Sequence, residues 1–394
     1  MKILSVNAGS SSLKFTLFEM NDESIIVSGV FERIGLDNSF YKIKLNGETI
    51  KEEIELPTHT EAVNVLLSKL IDLNIIKSYD EIKGVGHRIL HGGEKYSESV
   101  IINDDVIESI KELTPLGPLH HPGEIAGIMA LKEVLPEVPM VAVYDTAFHQ
   151  TMDEEAYLYP VPYSWYKDYK VRKYGFHGTS HKYIAEAVKK LLKKDSFKLI
   201  SCHIGSGGSV CAIKDGKCVD TSMGFTPLAG IMMGTRSGDI DPSIIPYVME
   251  KEGKSANEIM NDLNKKSGFL GISGISSDSR DIEDGVARGD KRCELALKMY
   301  VNSVVKYIAN YYVLLGHVDA LVFTAGIGEN SPLTRELIVN ALAPLGFKID
   351  KNANDVRGKF AKVSAKSSKV DVYVLPTNEE LMIAHDTMEL IDRK

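Results

Sequence analysis

Four glycine-bearing loops carry the first chemical signal in this sequence: "NAGSSS" (7–12), "HIGSGGS" (203–209), "GTRSGDIDP" (234–242) and "AGIGENSP" (325–332). Glycine lets backbone N–H groups approach an anion closely. In the last loop Ser331 is placed to cap a helix and Pro332 to open it, so the loop feeds a helix N-terminus, a natural seat for phosphate. One such loop is ordinary turn chemistry; four in one chain point to a phosphate-bearing ligand. The two common phosphate frames do not account for them. "GKS" (253–255) lacks the leading glycine of a Walker A loop and reads as a turn, and "GIGENS" (326–331) fails GxGxxG at its last position.

Isolated charged residues accompany the loops. Arg88 lies in "GHRILHGG", Arg236 sits between glycines in "GTRSGD", and His177 lies in "YGFHGTSH". Each has a plainer reading: Arg236 could pair locally with Asp239 or Asp241, and Arg88 could cap a loop. His177 and His181 have a four-residue spacing that would suit zinc on one helix. Yet Gly178, Thr179 and Ser180 read as a helix entry that leaves His177 outside, and no HExxH accompanies them. Asp145 ends a buried strand in "VAVYDTAFHQ" and is either a turn residue or a functional acid. In "TNEEL" Thr377 and Glu380 have capping-box spacing. That leaves Glu379 as a carboxylate able to hold Mg²⁺, directly or through water.

The elements that must position these groups alternate between strand and helix patterns, an α/β arrangement. Residues 2–7, 13–18 and 25–31 read as three short strands, followed by helices at 60–73 and 123–134 and a strand at 139–144. The opening then echoes itself. "LISCHIGSGGSVCAIK" (199–214) aligns without a gap on "ILSVNAGSSSLKFTLF" (3–18), and both read as strand, Gly/Ser turn, strand. Two related halves are therefore expected. Further helices are expected at 181–194 and 293–315, a buried strand in "HVDALVFTAG", a last strand at 370–376 and a closing helix at 379–392.

Bulk properties narrow the function. A chain of 394 residues is long for one core and fits two domains. The net charge of −8 argues against a broad basic surface for nucleic acid. No apolar run approaches membrane-spanning length, and the N-terminus has no signal-peptide h-region. Cys202, Cys211, Cys218 and Cys293 form no CxxC and no His/Cys metal spacing, the usage of reduced, buried thiols in a cytoplasmic protein.

Taken together, "NAGSSSLKF", "GHRILHGG", "DTAFHQTM", "YGFHGTSHKY", "GTRSGDIDPS", "GIGENS" and "TNEEL" resemble the acetate kinase family over essentially the whole chain. The resemblance implies membership of the acetate and sugar kinase/actin superfamily. It implies two duplicated ribonuclease-H-like α/β domains that close on ATP, with the active site in the cleft between them. The expected domains are 1–147 plus 379–394, and 148–378 as the nucleotide-binding domain. The family is cytoplasmic and homodimeric, with no membrane or nucleic-acid partner. Carried over by motif, Asn7 and Glu379 are the expected Mg²⁺ positions (Mn²⁺ as a substitute), and Lys14 is a nucleotide phosphate contact. Arg88 is expected to bind the substrate carboxylate or phosphate, Asp145 to be the essential acid, and His177 and Arg236 to stabilise the transition state. The ATP/ADP-binding stretches are His203, Ile204, Gly205, Ser206 and Gly207; Asp278, Ser279 and Arg280; and Gly326, Ile327, Gly328, Glu329 and Asn330. Leu90, Leu119, Phe176 and Pro227 are the expected lining of the acyl pocket.

Three departures from the family pattern stand out. "HIGSG" replaces HLGNG, so Ser206 offers a hydroxyl where an amide is usual. "PLHHPG" replaces PLHNPP, which puts His121 where Asn is usual. Leu90 stands where valine is usual, which should narrow the pocket and favour acetate over propionate. The expected reaction is ATP plus acetate giving ADP plus acetyl phosphate. Acetate is already ionised at neutral pH, since carboxylates titrate near ~4, so no base is required. Asp145 is then expected to orient Arg88, Arg236 or the metal shell. A propionate or butyrate kinase is the nearest rival. A sugar kinase would need a base and a polar pocket, and a non-catalytic actin-like switch would have no use for Arg88, His177 and Arg236.

Overall fold

The computed structural model describes residues 1–393 and divides into two compact units: Met1–Phe148 together with the segment from Asn378 onward, and His149–Thr377.

The first unit holds β1 (Lys2–Ala8), β2 (Ser12–Glu19), β3 (Ser24–Glu32), β4 (Phe40–Leu45), β5 (Glu48–Glu53), β6 (Ile82–Ile89), β7 (Val100–Ile101) and β8 (Met140–Tyr144). They form one sheet in the order β5-β4-β3-β2-β1-β6-β8-β7. The first five make an antiparallel meander, and β6 and β8 run parallel to β1. The expected first three strands are present. The β4–β5 hairpin, rich in Lys and Glu, did not show as strand in the sequence.

Strand alternation assigns the two faces of this sheet. Leu4, Val6 and Val85 pack with Leu66, Leu67 and Leu131 of helices His59–Asp72 and His121–Val134. The opposite face of β6 carries Gly84, Gly86 and Arg88. A Cβ at Gly86 would lie 2.3 Å from Thr387 Oγ1 and 2.5 Å from Ile383 Cγ2. The two glycines thus let helix Glu379–Asp392 seat directly on the sheet. A similar close approach fixes the opening turn, where a Cβ at Gly123 would lie 2.4 Å from the Gly9 carbonyl oxygen.

The second unit repeats the plan. Its strands are β9 (Lys198–Ile204), β10 (Gly208–Lys214), β11 (Lys217–Thr221), β12 (Ala320–Thr324), β13 (Ala361–Lys362) and β14 (Asp371–Val374). The order is β11-β10-β9-β12-β14-β13, with β9 to β11 antiparallel and β12 and β14 parallel to β9. Each sheet therefore has third, second, first, then two parallel strands, so the sequence echo reflects a repeated topology. The gapless alignment of the echo holds only through its first strand. Ala8 pairs with Leu13, whereas Ile204 pairs with Gly208, so the opening turn is one residue longer.

Two sequence expectations are corrected here. Residues 325–330 are a short helix, with Ala325 left-handed at φ 64°, rather than a loop. Ser331 still caps the next helix, accepting from Thr334 N at 3.0 Å, with Pro332 in its first turn. The Thr377–Glu380 capping box does not form: Asn378 caps the last helix instead, accepting from Leu381 N at 3.0 Å. A capping box does occur at the "GKS" turn, between Ser255 and Glu258. Helices Ile244–Glu252, Ala256–Lys265, Gly268–Ser273 and Ser279–Ala287 have no counterpart in the sequence reading.

Candidate active site

In the first unit the candidate residues gather at the C-terminal ends of the parallel strands, where open α/β sheets bind ligands. Period-two alternation explains why. Asn7 of β1 pairs with Lys14 of β2, and Arg88 of β6 pairs with Val143 of β8. Asp145 lies two residues beyond Val143, and Glu379 opens the helix that rests on this same face. Arg88 Nη2 donates to Asp145 Oδ2; the arginine side chain is 19% exposed and the aspartate 1%. Burial opposes the Arg88 charge, but Asp145, Glu124 and Glu379 outweigh it and hold the guanidinium above its ordinary range.

Glu124 was not visible as a site residue in the sequence. Its Oε1 accepts from Leu90 N at 3.0 Å, and Oε2 has no hydrogen-bond partner among the described residues. Burial pushes its carboxyl up to about 8, with Arg88 pulling the other way. Burial and the Asp145 charge likewise push Glu379 upward. The repulsion that Asp145 exerts on Glu379 is one that a divalent cation would relieve. Asn7 and Glu379 also offer the hard oxygen donors that Mg²⁺ takes, so the donor set fits that ion. Leu90 is 5% exposed, whereas Leu119 is 71% exposed.

The second unit builds its site on a histidine–serine network. His177 is the left-handed residue (φ 59°) before helix Gly178–Leu192, outside the helix as its glycine-led entry implied. Its Nδ1 lies 3.0 Å from Ser209 Oγ, and its ring stacks on His203 with centroids 4.1 Å apart. His203 Nδ1 meets Ser180 Oγ at 2.8 Å, which in turn meets Thr377 Oγ1 at 2.8 Å. His181 places Nδ1 at 2.9 Å from Ser201 Oγ and Nε2 at 2.8 Å from Ser209 Oγ. Both of its nitrogens thus face serines, which rules out a zinc pair with His177. Burial lowers the His181 pKa far below its ordinary value, so this ring is neutral. Only contact across the fold reveals Ser180, Ser201, Ser209 and Thr377 as members.

Arg236 makes no ion pair with Asp239 or Asp241. Asp239 instead accepts from Gly230 N and Tyr307 Oη. Arg236 Nη1 donates to the Pro227 carbonyl at 3.2 Å, and burial lowers its pKa. A Cβ at Gly207 would lie 3.3 Å from Arg236 Nη1 and 3.7 Å from His177 Nε2. The guanidinium and the imidazole therefore converge on the glycine hairpin. Phe176, just before His177, is buried.

A cavity of about 590 Å³ opens beside the hairpin. Of the expected nucleotide stretches, Gly205, Ser206, Asp278, Ser279, Arg280, Gly326, Ile327 and Asn330 line it, and Glu283, Ser331 and Arg357 join them. Arg280 pairs with Asp278 and holds that carboxyl down to about 2. Other members of those stretches brace the wall. Ile204 is core, Gly328 O accepts from Arg335 Nη1 at 2.8 Å, and Glu329 Oε1 accepts from Ala325 N at 2.8 Å and Thr377 N at 3.2 Å.

Two α/β sheets of one repeated strand order, with glycine hairpins and basic groups at their strand ends, define a protein of the actin-like ATPase fold. The acetokinase family profile matches residues 2–385. Acetate kinase of Geobacillus kaustophilus is 55% identical over 391 residues, covering 99% of both chains. The crystal structure of Porphyromonas gingivalis acetate kinase superposes with a TM-score of 0.95 at 46% identity, covering 99% of both chains. A propionate kinase from Francisella tularensis gives 0.94 at 42%, again over 99% of both. The chain belongs to the acetokinase family. Among the described residues, no helix is long and apolar enough to cross a membrane.

Proposed function

We propose that this chain transfers the γ-phosphoryl group of ATP reversibly to acetate, giving ADP and acetyl phosphate. Family membership supports the reaction. The observation that carries the site assignment is Arg236: a half-buried guanidinium with no carboxylate partner among the described residues, aimed with His177 at Gly207 beside the 590 Å³ cavity. A cation kept apart from counter-charges is poised for an anionic ligand.

The chemistry follows from charge. Acetate is a nucleophile without deprotonation, so the barrier is repulsion between two anions. Arg88, held by Asp145, binds the acetate carboxylate. Lys14 contacts nucleotide phosphate, and Arg236 and His177 stabilise the charge that builds on the transferring phosphoryl group. Their fixed placement is most of the catalysis. Asn7 and Glu379 would hold Mg²⁺ or Mn²⁺, which when bound neutralises phosphate charge. On this reading residues 148–378 form the nucleotide-binding domain and the remainder the acetate domain, while Leu90, Leu119, Phe176 and Pro227 surround the methyl group. A cytoplasmic homodimer completes the proposal.

Hydroxylamine trapping is the direct test. Acyl hydroxamate should form only when ATP, Mg²⁺ and acetate are all present. Its absence, with ATP hydrolysed regardless, would favour the non-catalytic switch. The likeness to a propionate kinase makes a substrate panel the second measurement: kcat/KM should be higher for acetate than for propionate or butyrate.

A further inference from the structure

His149 meets Cys211 and Cys218, seven residues apart on one hairpin, in the interior of the second unit. Cys218 Sγ lies 3.2 Å from His149 Nδ1 and 3.5 Å from Cys211 Sγ, and the three donor atoms lie within 4.8 Å of one another. All three residues are buried. Antiparallel pairing of β10 with β11 produces the thiol contact. Cys211 and Ile213 share a face, and Ile213 pairs with Cys218.

The histidine is held in the orientation a ligand needs. Its Nε2 donates to the Phe176 carbonyl at 2.9 Å, which directs the Nδ1 lone pair to the thiols. A metal-bound imidazole is anchored through its other nitrogen in this way. The ring has room only because residue 175 is glycine. A Cβ there would lie 2.7 Å from His149 Cδ2 and 2.4 Å from Thr221 Cγ2, and the backbone is left-handed at φ 76°.

We propose that His149, Cys211 and Cys218 bind a thiophilic d¹⁰ cation, Zn²⁺ or Cu⁺, at a structural site distinct from the phosphoryl-transfer residues. Two sulfurs and one imidazole nitrogen are the donor set that soft and borderline ions prefer over Mg²⁺. With bonds of ~2.1–2.3 Å, ligand atoms around such an ion stand ~3.5–4 Å apart, so an ion enters with only a small spreading of the three side chains. Binding forms two metal–sulfur bonds and one metal–nitrogen bond and releases the two thiol protons to solvent. Through the Phe176 carbonyl, a bound ion also anchors the segment that carries His177.

The test uses untagged full-length protein, stripped of metal and kept reduced with a phosphine. Titration with Co²⁺ should give a near-ultraviolet sulfur-to-cobalt band saturating at one equivalent and displaced by Zn²⁺. A parallel competition against a chromogenic Cu⁺ chelator distinguishes the two ions. Cys211→Ser and Cys218→Ser should each weaken binding more than about 100-fold, while Cys293→Ser leaves it unchanged. Should the serine variants fold poorly, alkylation of the unaltered protein decides. In urea low enough to keep the fold native but open it transiently, Zn²⁺ or Cu⁺ should slow alkylation of Cys211 and Cys218 more than that of Cys202, since all three are buried. Absence of a band and of protection with both ions overturns the site, as does a band that survives in the folded double variant.

Discussion

Ser209 Oγ lies 3.0 Å from His177 Nδ1, and the same oxygen lies 2.8 Å from Nε2 of the buried His181. A hydroxyl carries one proton, so it donates to one ring and accepts from the other. If Ser201 donates to His181 Nδ1, then His181 donates to Ser209 and Ser209 to His177 Nδ1; the reverse order runs the relay the other way. The first order puts the N–H of His177 at Nε2, an atom facing Gly207. Ser209→Ala should lower kcat about 10- to 100-fold with little change in KM for ATP. It should also cost about 1–3 kcal/mol of stability, because buried polar groups lose their partner. Steady-state kinetics and a thermal melt check this; an unchanged kcat would remove Ser209 from the mechanism.

Arg236→Ala should reduce kcat by roughly 10³-fold or more while leaving KM within a few-fold, the pattern of a contact made in the transition state. Arg236→Lys should restore little of it, since a point charge cannot replace the planar fork. A raised KM at full kcat would assign Arg236 to ground-state binding instead.

Asp145 tests the orienting role. Asp145→Asn keeps the shape but removes the charge that fixes Arg88. kcat/KM for acetate should fall about 100-fold or more, while the pH profile keeps its form. Loss of one limb of that profile would make Asp145 a base.

Glu124 predicts a pH dependence of stability. Its carboxyl is raised to about 8 in the folded protein, from an ordinary value of 4.5. The groups facing it are Arg88, Asp145, the Leu90 N–H and His121, which burial keeps neutral. Between those two values the folded state binds more protons than the unfolded state, so this group's contribution declines as pH rises. Glu124→Gln should therefore gain in Tm over the unaltered chain as pH moves from 5 to 8. A Tm difference that stays constant across that range would mean that Glu124 is ionised throughout.

Leu90→Val tests the acyl pocket. Enlarging it by a methylene should raise kcat/KM for propionate relative to acetate, within the ~1–3 kcal/mol that one methylene is worth. No change in the ratio would place the methyl group elsewhere.

Much of this site was legible because its groups sit in short, punctuated motifs. Glycines around Arg236, the strand-ending Asp145 and the helix entry after His177 each follow from local rules. Glu379 was identified by elimination from a capping box that does not form, because Asn378 supplies the cap one residue later. Glu124 was hidden inside an amphipathic helix, where a buried carboxyl looks like any acidic first-turn residue. The β4–β5 hairpin was missed because β5 is an edge strand with little burial and both strands carry charges on the exposed face.

The sequence by itself determined the α/β alternation, the repeated strand–turn–strand opening and the basic residues among glycines. These depend on neighbours within a few positions, where backbone sterics and side-chain periodicity decide. Only the tertiary structure decided that Asp145 holds Arg88, that Ser209 joins two histidines and that His149 meets two cysteines. Those contacts arise from strand pairing and from glycines that let helices and rings approach, and residues 57, 28 and 69 positions apart have no local rule connecting them.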